Sequence, residues 1–381
     1  MRRRIQSLPS PLCKAKPPPA AAPDWVMPEP PAGLDLPGLE EPPPVLDAFP
    51  GRGEQVALAT CGMEQGGAEV QTVTLAVELQ RLGYSCAVLN TGARVMGDNP
   101  LVGRLRRAGV RYMEGDVASL AGVEATIWWG NSLSPFAAAG KTIPGSIYVV
   151  HSAGAPTVSM LHREAPSIKQ GAVVAVSGPA ARLAEMVLQV ERVPVIWNGI
   201  EPTGATTARP GPGFTVGTLG RYSPEKNIPA ALAALRYLPR QVRLRSYGWG
   251  PLRTSLQEAA HRYGVEDRFD LCGRVPGPEM AFPDFDCLLL CSVFEGLPMT
   301  VVEAMHAGVP VVACPLGDLP LILAGGRGTL CGPSPREIAE AVERFIRDGS
   351  DVDAAQAFAR RHLSARAMAA GYTHQIAEVL A

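Results

Sequence analysis

Residues 292–315 read SVFEGLPMTVVEAMHAGVPVVACP, and their order decides the fold. The apolar run DCLLLCSVF (286–294) reads as a strand ending at Phe294, with Glu295 at its C-terminal edge. Gly296, Leu297 and Pro298 make a turn, and Pro298 suits the first turn of a helix. MTVVEAMHAG (299–308) carries a helical pattern that stops at a glycine, and PVVAC (310–314) opens another strand. Strand, turn, helix and strand in so short a span describe a parallel crossover unit.

The alternation extends on both sides. QVALAT (55–60), SCAVLN (85–90), ATIWWGN (125–131), SIYVVHS (146–152), AVVAVSG (172–178) and PVIWNG (194–199) read as strands, with an amphipathic helix over 67–83. EPTGATTARPGPG (201–213) is the clearest linker. After it FTVGTLG (214–220), VRLRSYG (242–248) and RFDLCG (268–273) read as strands, and NIPAALAALRYLP (227–239) and PLRTSLQEAAHRYG (251–264) as helices, with further helices from Ser334 on. The expected fold class is α/β: two doubly wound, Rossmann-like domains facing across a cleft, over 54–202 and 203–363. Residues 1–53, rich in proline, alanine and acidic residues, read as a flexible extension.

Composition narrows the function. At 46% hydrophobic, 19% charged and a net charge of −1, the chain is globular and has no global field to attract nucleic acid. Its eight cysteines are scattered without Cys-x-x-Cys or zinc spacing and several sit in apolar runs, which reads as a reducing, cytoplasmic setting. The N-terminus has basic residues but no apolar core of a secretory signal, and no stretch is long and apolar enough to span a bilayer. A soluble or membrane-peripheral protein is expected.

Three segments of the second half could carry chemistry. In GTLGRYSPEKN (217–227), Gly217 and Gly220 allow close approach of a strand-end loop to a ligand, and Arg221 and Lys226 flank a proline turn at a helix start. Two cations and a helix N-terminus suit a diphosphate, although exposed cations on a solvated loop are the plainer alternative. In RSYGWGPLRTSL (245–256), Gly248 and Gly250 form half of a dinucleotide fingerprint whose third glycine position is Arg253, which leaves contact with a nucleotide base and simple packing both open. In the opening stretch, the amides of Met299 and Thr300 would be free to meet a phosphate oxygen, and Glu303, in the first turns of the helix, could accept from two vicinal hydroxyls as acidic residues do for ribose. Glu295 could do the same for a second polyol. A nucleotide-sugar has that form.

GRYSPEKN (220–227), YGWGPLRTSL (247–256), DLCGRV (270–275) and FEGLPMTVVEAMHAGVPVVA (294–313) together resemble the C-terminal half of the family 4 retaining glycosyltransferases, which have the GT-B fold. Glu295 and Glu303 match that family's E-x(7)-E pair. The resemblance implies transfer of a sugar from a UDP-, GDP- or other nucleotide-diphosphate donor with retention of configuration and with neither cofactor nor metal. It implies that Arg221 and Lys226 hold the diphosphate, that Glu303 binds ribose, and that Glu295 lies by the sugar, with Gly220, Gly248, Gly296, Met299 and Thr300 around the donor. EQGGAEVQTVTLAVELQRLGY (64–84) resembles the family's acceptor-side glycine-rich loop and first helix, which places Gly66 and Gly67 near the sugar. YVVHS (148–152) places His151 where relatives carry a histidine close to the sugar. AVSGPAARLAEM (175–186) and VPVIWNGIE (193–201) resemble the segment leading to the interdomain hinge, with Glu201 in place of the usual aspartate, and 364–381 is expected to return to the first domain.

The acceptor is left open: a glycan, a lipid-linked sugar or a small molecule. RVMGDNPLVGRLRRAGVRY (94–112) clusters Arg94, Arg104, Arg106, Arg107 and Arg111, which suits either a solvated helix face or peripheral docking to an anionic membrane. The alternatives to a transferase are a sugar-nucleotide epimerase of the same fold, a noncatalytic nucleotide-sugar-binding protein and, last, a dinucleotide-dependent reductase.

Overall fold

The computed structural model describes residues 36–63, 66–115, 117–129, 145–202, 204 and 213–381. The chain forms two compact units, one built from Leu34–Pro202 with Ala359–Ala381, the other containing Thr203–Phe358.

In the first unit the strands are β1 (Gln55–Thr60), β2 (Ser85–Asn90), β3 (Arg111–Glu114), β4 (Ala125–Trp129), β5 (Ser146–Val150) and β6 (Ala172–Ala175). They pair in parallel in the order β3-β2-β1-β4-β5-β6, with Val56 opposite Cys86 on one side and Ala125 on the other. The central strands are buried along nearly their whole length, as expected of a parallel sheet covered on both faces. Helices α1 (Gly67–Arg81), α2 (Pro100–Arg107), α3 (Ala155–Ile168) and α4 (Gly178–Leu188) belong to this unit.

Three sequence expectations need correction here. PVIWNG does not form a strand: Val195 makes one isolated parallel bridge to Ala175, and the chain then turns away. The short edge strand β3 went unread because its residues are exposed or half-buried and give no apolar run. Part of the expected flexible extension is fixed, since Phe49 N donates to Thr373 Oγ1 at 3.1 Å, Gly51 N to Leu82 O at 2.8 Å, and Tyr84 Oη to Phe49 O at 3.2 Å. Residues 1–35 lie outside the described residues.

The second unit repeats the plan with β7 (Phe214–Leu219), β8 (Val242–Tyr247), β9 (Phe269–Gly273), β10 (Cys287–Leu290), β11 (Val311–Ala313) and β12 (Thr329–Leu330), in the order β12-β11-β10-β7-β8-β9. Its helices are α5 (Ile228–Ala234), α6 (Arg253–Tyr263), α7 (Met299–Ala307), α8 (Leu319–Ile322) and α9 (Pro335–Asp348). α5 is shorter than the 227–239 pattern suggested. A capping box between Ser334 and Glu337 starts α9, whose inner face, with Ile338, Val342 and Phe345, completes a core under β7, β8 and β10. The strand order reverses between β7 and β10, and in doubly wound sheets ligands bind at the C-terminal ends of the strands beside such a point.

α10 (Val352–His362) leads the chain back to the first unit, where α11 (Ala365–Leu380) packs on α1. Ile200 and Ser364 form a parallel bridge there, and Gly199 N donates to Met368 Sδ at 3.4 Å.

Candidate functional site

The loops leaving β7 and β10 meet at the switch point of the second sheet. Gly220 follows β7, and its N–H donates to Tyr247 O at 3.0 Å, while Tyr222 N donates to Trp249 O at 2.8 Å, so the β7 and β8 loops run together. Gly248 makes that possible: its φ is +151°, and a Cβ there would lie 1.7 Å from Gly220 O. The Gly248 half-fingerprint therefore has a packing explanation. Gly217 also has one, and differs from its expected role: it lies inside β7, where a Cβ would run into the Phe285 ring at 2.1 Å.

The β10 strand stops at Leu290, four residues before the expected Phe294, so Glu295 sits on the following loop. That loop is tied to the 223–227 turn by several bonds. Val293 N donates to Glu225 O at 2.9 Å, and the buried Cys291 thiol donates to Lys226 O at 3.4 Å and to Asn227 O at 3.3 Å. Lys226 Nζ forms an ion pair with Glu295 Oε1, and the Ser292 hydroxyl donates to the same oxygen at 2.8 Å. The second cation is also paired: Arg221 Nη2 lies 3.2 Å from Glu225 Oε1, on a side chain that is 65% exposed. Burial pushes the Glu225 carboxyl up, but the Ser223 hydroxyl, backbone N–H and the cations Arg221 and Lys226 outweigh it and hold it below the usual carboxylate range.

Gly296 carries the loop on to α7, its carbonyl lying against Gly317, where a Cβ would come within 2.8 Å of it. Pro298 caps α7 without a side-chain hydrogen bond, so the amides of Met299 and Thr300 open the helix outside its internal ladder. Half-buried Glu303 lies one turn further on. Burial pushes its carboxyl up to about 8, and the charge of Glu279, from the turn Pro278–Met280, acts in the same direction.

Gly66, Gly67 and His151 stand on the first unit. Gly66 is the N-cap of α1 and Gly67 its first residue, while Glu64 and Gln65 of the same loop lie outside the described residues. His151 follows β5, and its Nδ1 accepts from Trp129 Nε1 at 3.1 Å, with the two rings 5.2 Å apart. The acceptor role of Nδ1 puts the proton of the neutral ring on Nε2. Burial lowers the imidazole to about 3, so the ring is neutral at any ordinary pH.

The arginine cluster divides. Arg104 is half-buried, with Nη1 donating to Thr74 Oγ1 at 3.0 Å and Nη2 lying 3.2 Å from Glu201 Oε2, so its guanidinium is engaged within the unit. Glu201 also pairs with Arg81. Arg106 and Arg107 are exposed and border a cavity of about 650 Å³ lined also by Asp98, Asn99, Tyr112 and Glu114.

Thus the structure brings Gly220, Arg221, Lys226, Gly248, Glu295, Gly296, Met299 and Thr300 to the C-terminal edge of the second sheet or to loops tied to it. Sequence reasoning missed Glu225, Ser292 and Trp129. The spacing Ser-x-x-Glu over 292–295 was the available signal for Ser292; a tryptophan far from His151 in sequence gave none.

Two Rossmann-like α/β units with parallel six-stranded sheets are the GT-B class of fold. Comparison with known proteins agrees: residues 213–348 match the family described as glycosyl transferases group 1. WcaL of Salmonella typhimurium, named for a glycosyltransferase role in colanic acid biosynthesis, is 30% identical over 189 residues, 46% of each chain. A 2-deoxystreptamine glucosyltransferase of Streptomyces kanamyceticus is 32% identical over 147 residues, 37% of this chain and 38% of that one. The matches thus span less than half the length of these relatives. In fold, the chain is similar to HepE of Anabaena crystallised with UDP-glucose, with a TM-score of 0.70 at 19% identity, covering 86% of this chain and 99% of that one.

Proposed function

We propose that the protein is a retaining, metal-independent glycosyltransferase that moves a sugar from a nucleoside-diphosphate donor to an acceptor carrying a hydroxyl group. The observation that carries this reading is the convergence of Arg221, Lys226, Glu295 and the N-terminus of α7 at one strand-order reversal. Cleavage of the bond between sugar and diphosphate builds negative charge on the leaving group while the sugar becomes oxocarbenium-like. Arg221, Lys226 and the Met299 and Thr300 amides would stabilise that charge, which is the service a divalent metal would otherwise provide. Glu303 would accept from the ribose hydroxyls and Glu295 from the sugar. On the first unit, Gly66 and Gly67 would permit close approach of their own loop to a ligand, and His151 would serve as a neutral Nε2–H donor.

HepE, of similar fold, was crystallised with UDP and with UDP-glucose, which supports starting with uridine donors. The test is a thermal-shift series with UDP, GDP, ADP and their common sugars, each with magnesium and with EDTA, because a ligand that binds the native state raises Tm. A shift with one nucleotide family, equal in EDTA, is expected. No shift with any of them in folded protein overturns the reading.

No helix among the described residues is long and apolar enough to cross a membrane. The exposed Arg106 and Arg107 would offer a peripheral contact to an anionic surface. Sedimentation with phosphatidylglycerol vesicles, lost on Arg106→Gln with Arg107→Gln, is the expected result.

A further inference from the structure

We infer that Ser292 is a positioning residue that keeps Glu295 aimed at the transferred sugar when Lys226 engages the diphosphate. The inference rests on the donor reading above. Glu295 is held by one oxygen from two sides: Lys226 Nζ and the Ser292 hydroxyl both contact Oε1. Among the described residues Oε2 has no partner, which leaves its lone pairs for a sugar hydroxyl.

The two partners differ in what they do next. Lys226 is a flexible cation with three donors, and a bound diphosphate competes with Glu295 for it. Ser292 is 1% exposed, and its hydroxyl has Glu295 as its partner, so it cannot be drawn off by the ligand. The same strand exit grips the other half of the ion pair, since Cys291 donates to the backbone carbonyls of Lys226 and Asn227. A carboxylate that loses the lysine and has no serine would be free to rotate about its side-chain bonds, and orientation toward the sugar would be lost. The nucleotide half of the ligand would not sense this.

The test uses full-length wild type, Ser292→Ala and Ser292→Thr, titrated with UDP-glucose and with UDP, then with GDP-mannose and GDP and with ADP-glucose and ADP if the uridine pair gives no signal. Ser292→Ala is expected to weaken the nucleotide-sugar about tenfold, the scale of one hydrogen bond to a charged group, and the free nucleotide less than about twofold. Ser292→Thr keeps a hydroxyl and is expected to restore binding of the nucleotide-sugar. Equal losses for both ligands, no loss for either, or failure of Ser292→Thr to restore would overturn the positioning role. Wild type that binds neither member of any pair would overturn the donor reading itself, and this inference with it.

Discussion

The indole N–H of Trp129 donates to Nδ1 of His151 at 3.1 Å and thereby fixes which nitrogen of the imidazole carries the proton. A histidine so held is a hydrogen-bond donor through Nε2 and not a carrier of protons near neutral pH. Donor turnover should therefore show no acid limb from His151 between pH 5 and 8, read from kcat against pH. The native ring titrates near 3, against 6.5 for the free side chain, so the unfolded chain takes up a proton first. Stability is thus lost as pH falls from about 6.5 toward 3, and His151→Gln should flatten that loss in urea midpoints measured across the window. In Trp129→Phe the ring should lose its single tautomer, visible in nitrogen-correlated NMR of the imidazole.

Glu303 works in the opposite sense. Its carboxyl, raised from 4.5 to about 8, stays protonated in the native state over a range where the unfolded chain has released the proton. This group's contribution to stability falls as pH rises from about 4.5 to 8, at up to about 1.4 kcal/mol per pH unit. Glu303→Gln should remove that slope. Because acceptance from two ribose hydroxyls needs the carboxylate, nucleotide affinity of wild type should rise through pH 8, and that rise should vanish in Glu303→Gln.

Gly248 sets the path of two loops. A Cβ 1.7 Å from Gly220 O, at φ +151°, cannot be accommodated without moving the backbone. Gly248→Ala should destabilise the protein by about 3 kcal/mol or more, measured as a fall in urea midpoint, and should weaken nucleotide binding with it.

Lys226→Ala should lower donor turnover by about two orders of magnitude, the scale for loss of one group that stabilises developing charge, with kcat measured by release of nucleoside diphosphate. Its Tm should change far less than that of Gly248→Ala, because Ser292 still satisfies Glu295 Oε1.

Where apolar runs are bounded by glycine or proline the strands were legible: Gln55–Thr60, Ser85–Asn90 and Phe214–Leu219 occupy the segments the sequence marks, or all but the final glycine. PVIWNG has the same apolar character, but its chain leaves the sheet after Val195, a choice made by tertiary contacts such as the Ile200–Ser364 bridge. At the candidate site, Arg221, Lys226 and Glu295 could be singled out from residue type and local order. Their pairing could not. Lys226 and Glu295 are far apart in sequence, and only the adjacency of β7 and β10 brings their loops together. Arg104 likewise read as a surface cation because Glu201, its partner, lies on a segment joined to it only by the fold.

The most direct measurement is titration calorimetry of the full-length protein in EDTA with the nucleoside diphosphate that raises its Tm. The account predicts one site, abolished by Arg221→Ala with Lys226→Ala and retained in His151→Ala. Binding that requires magnesium, or that survives loss of both cations, would contradict it.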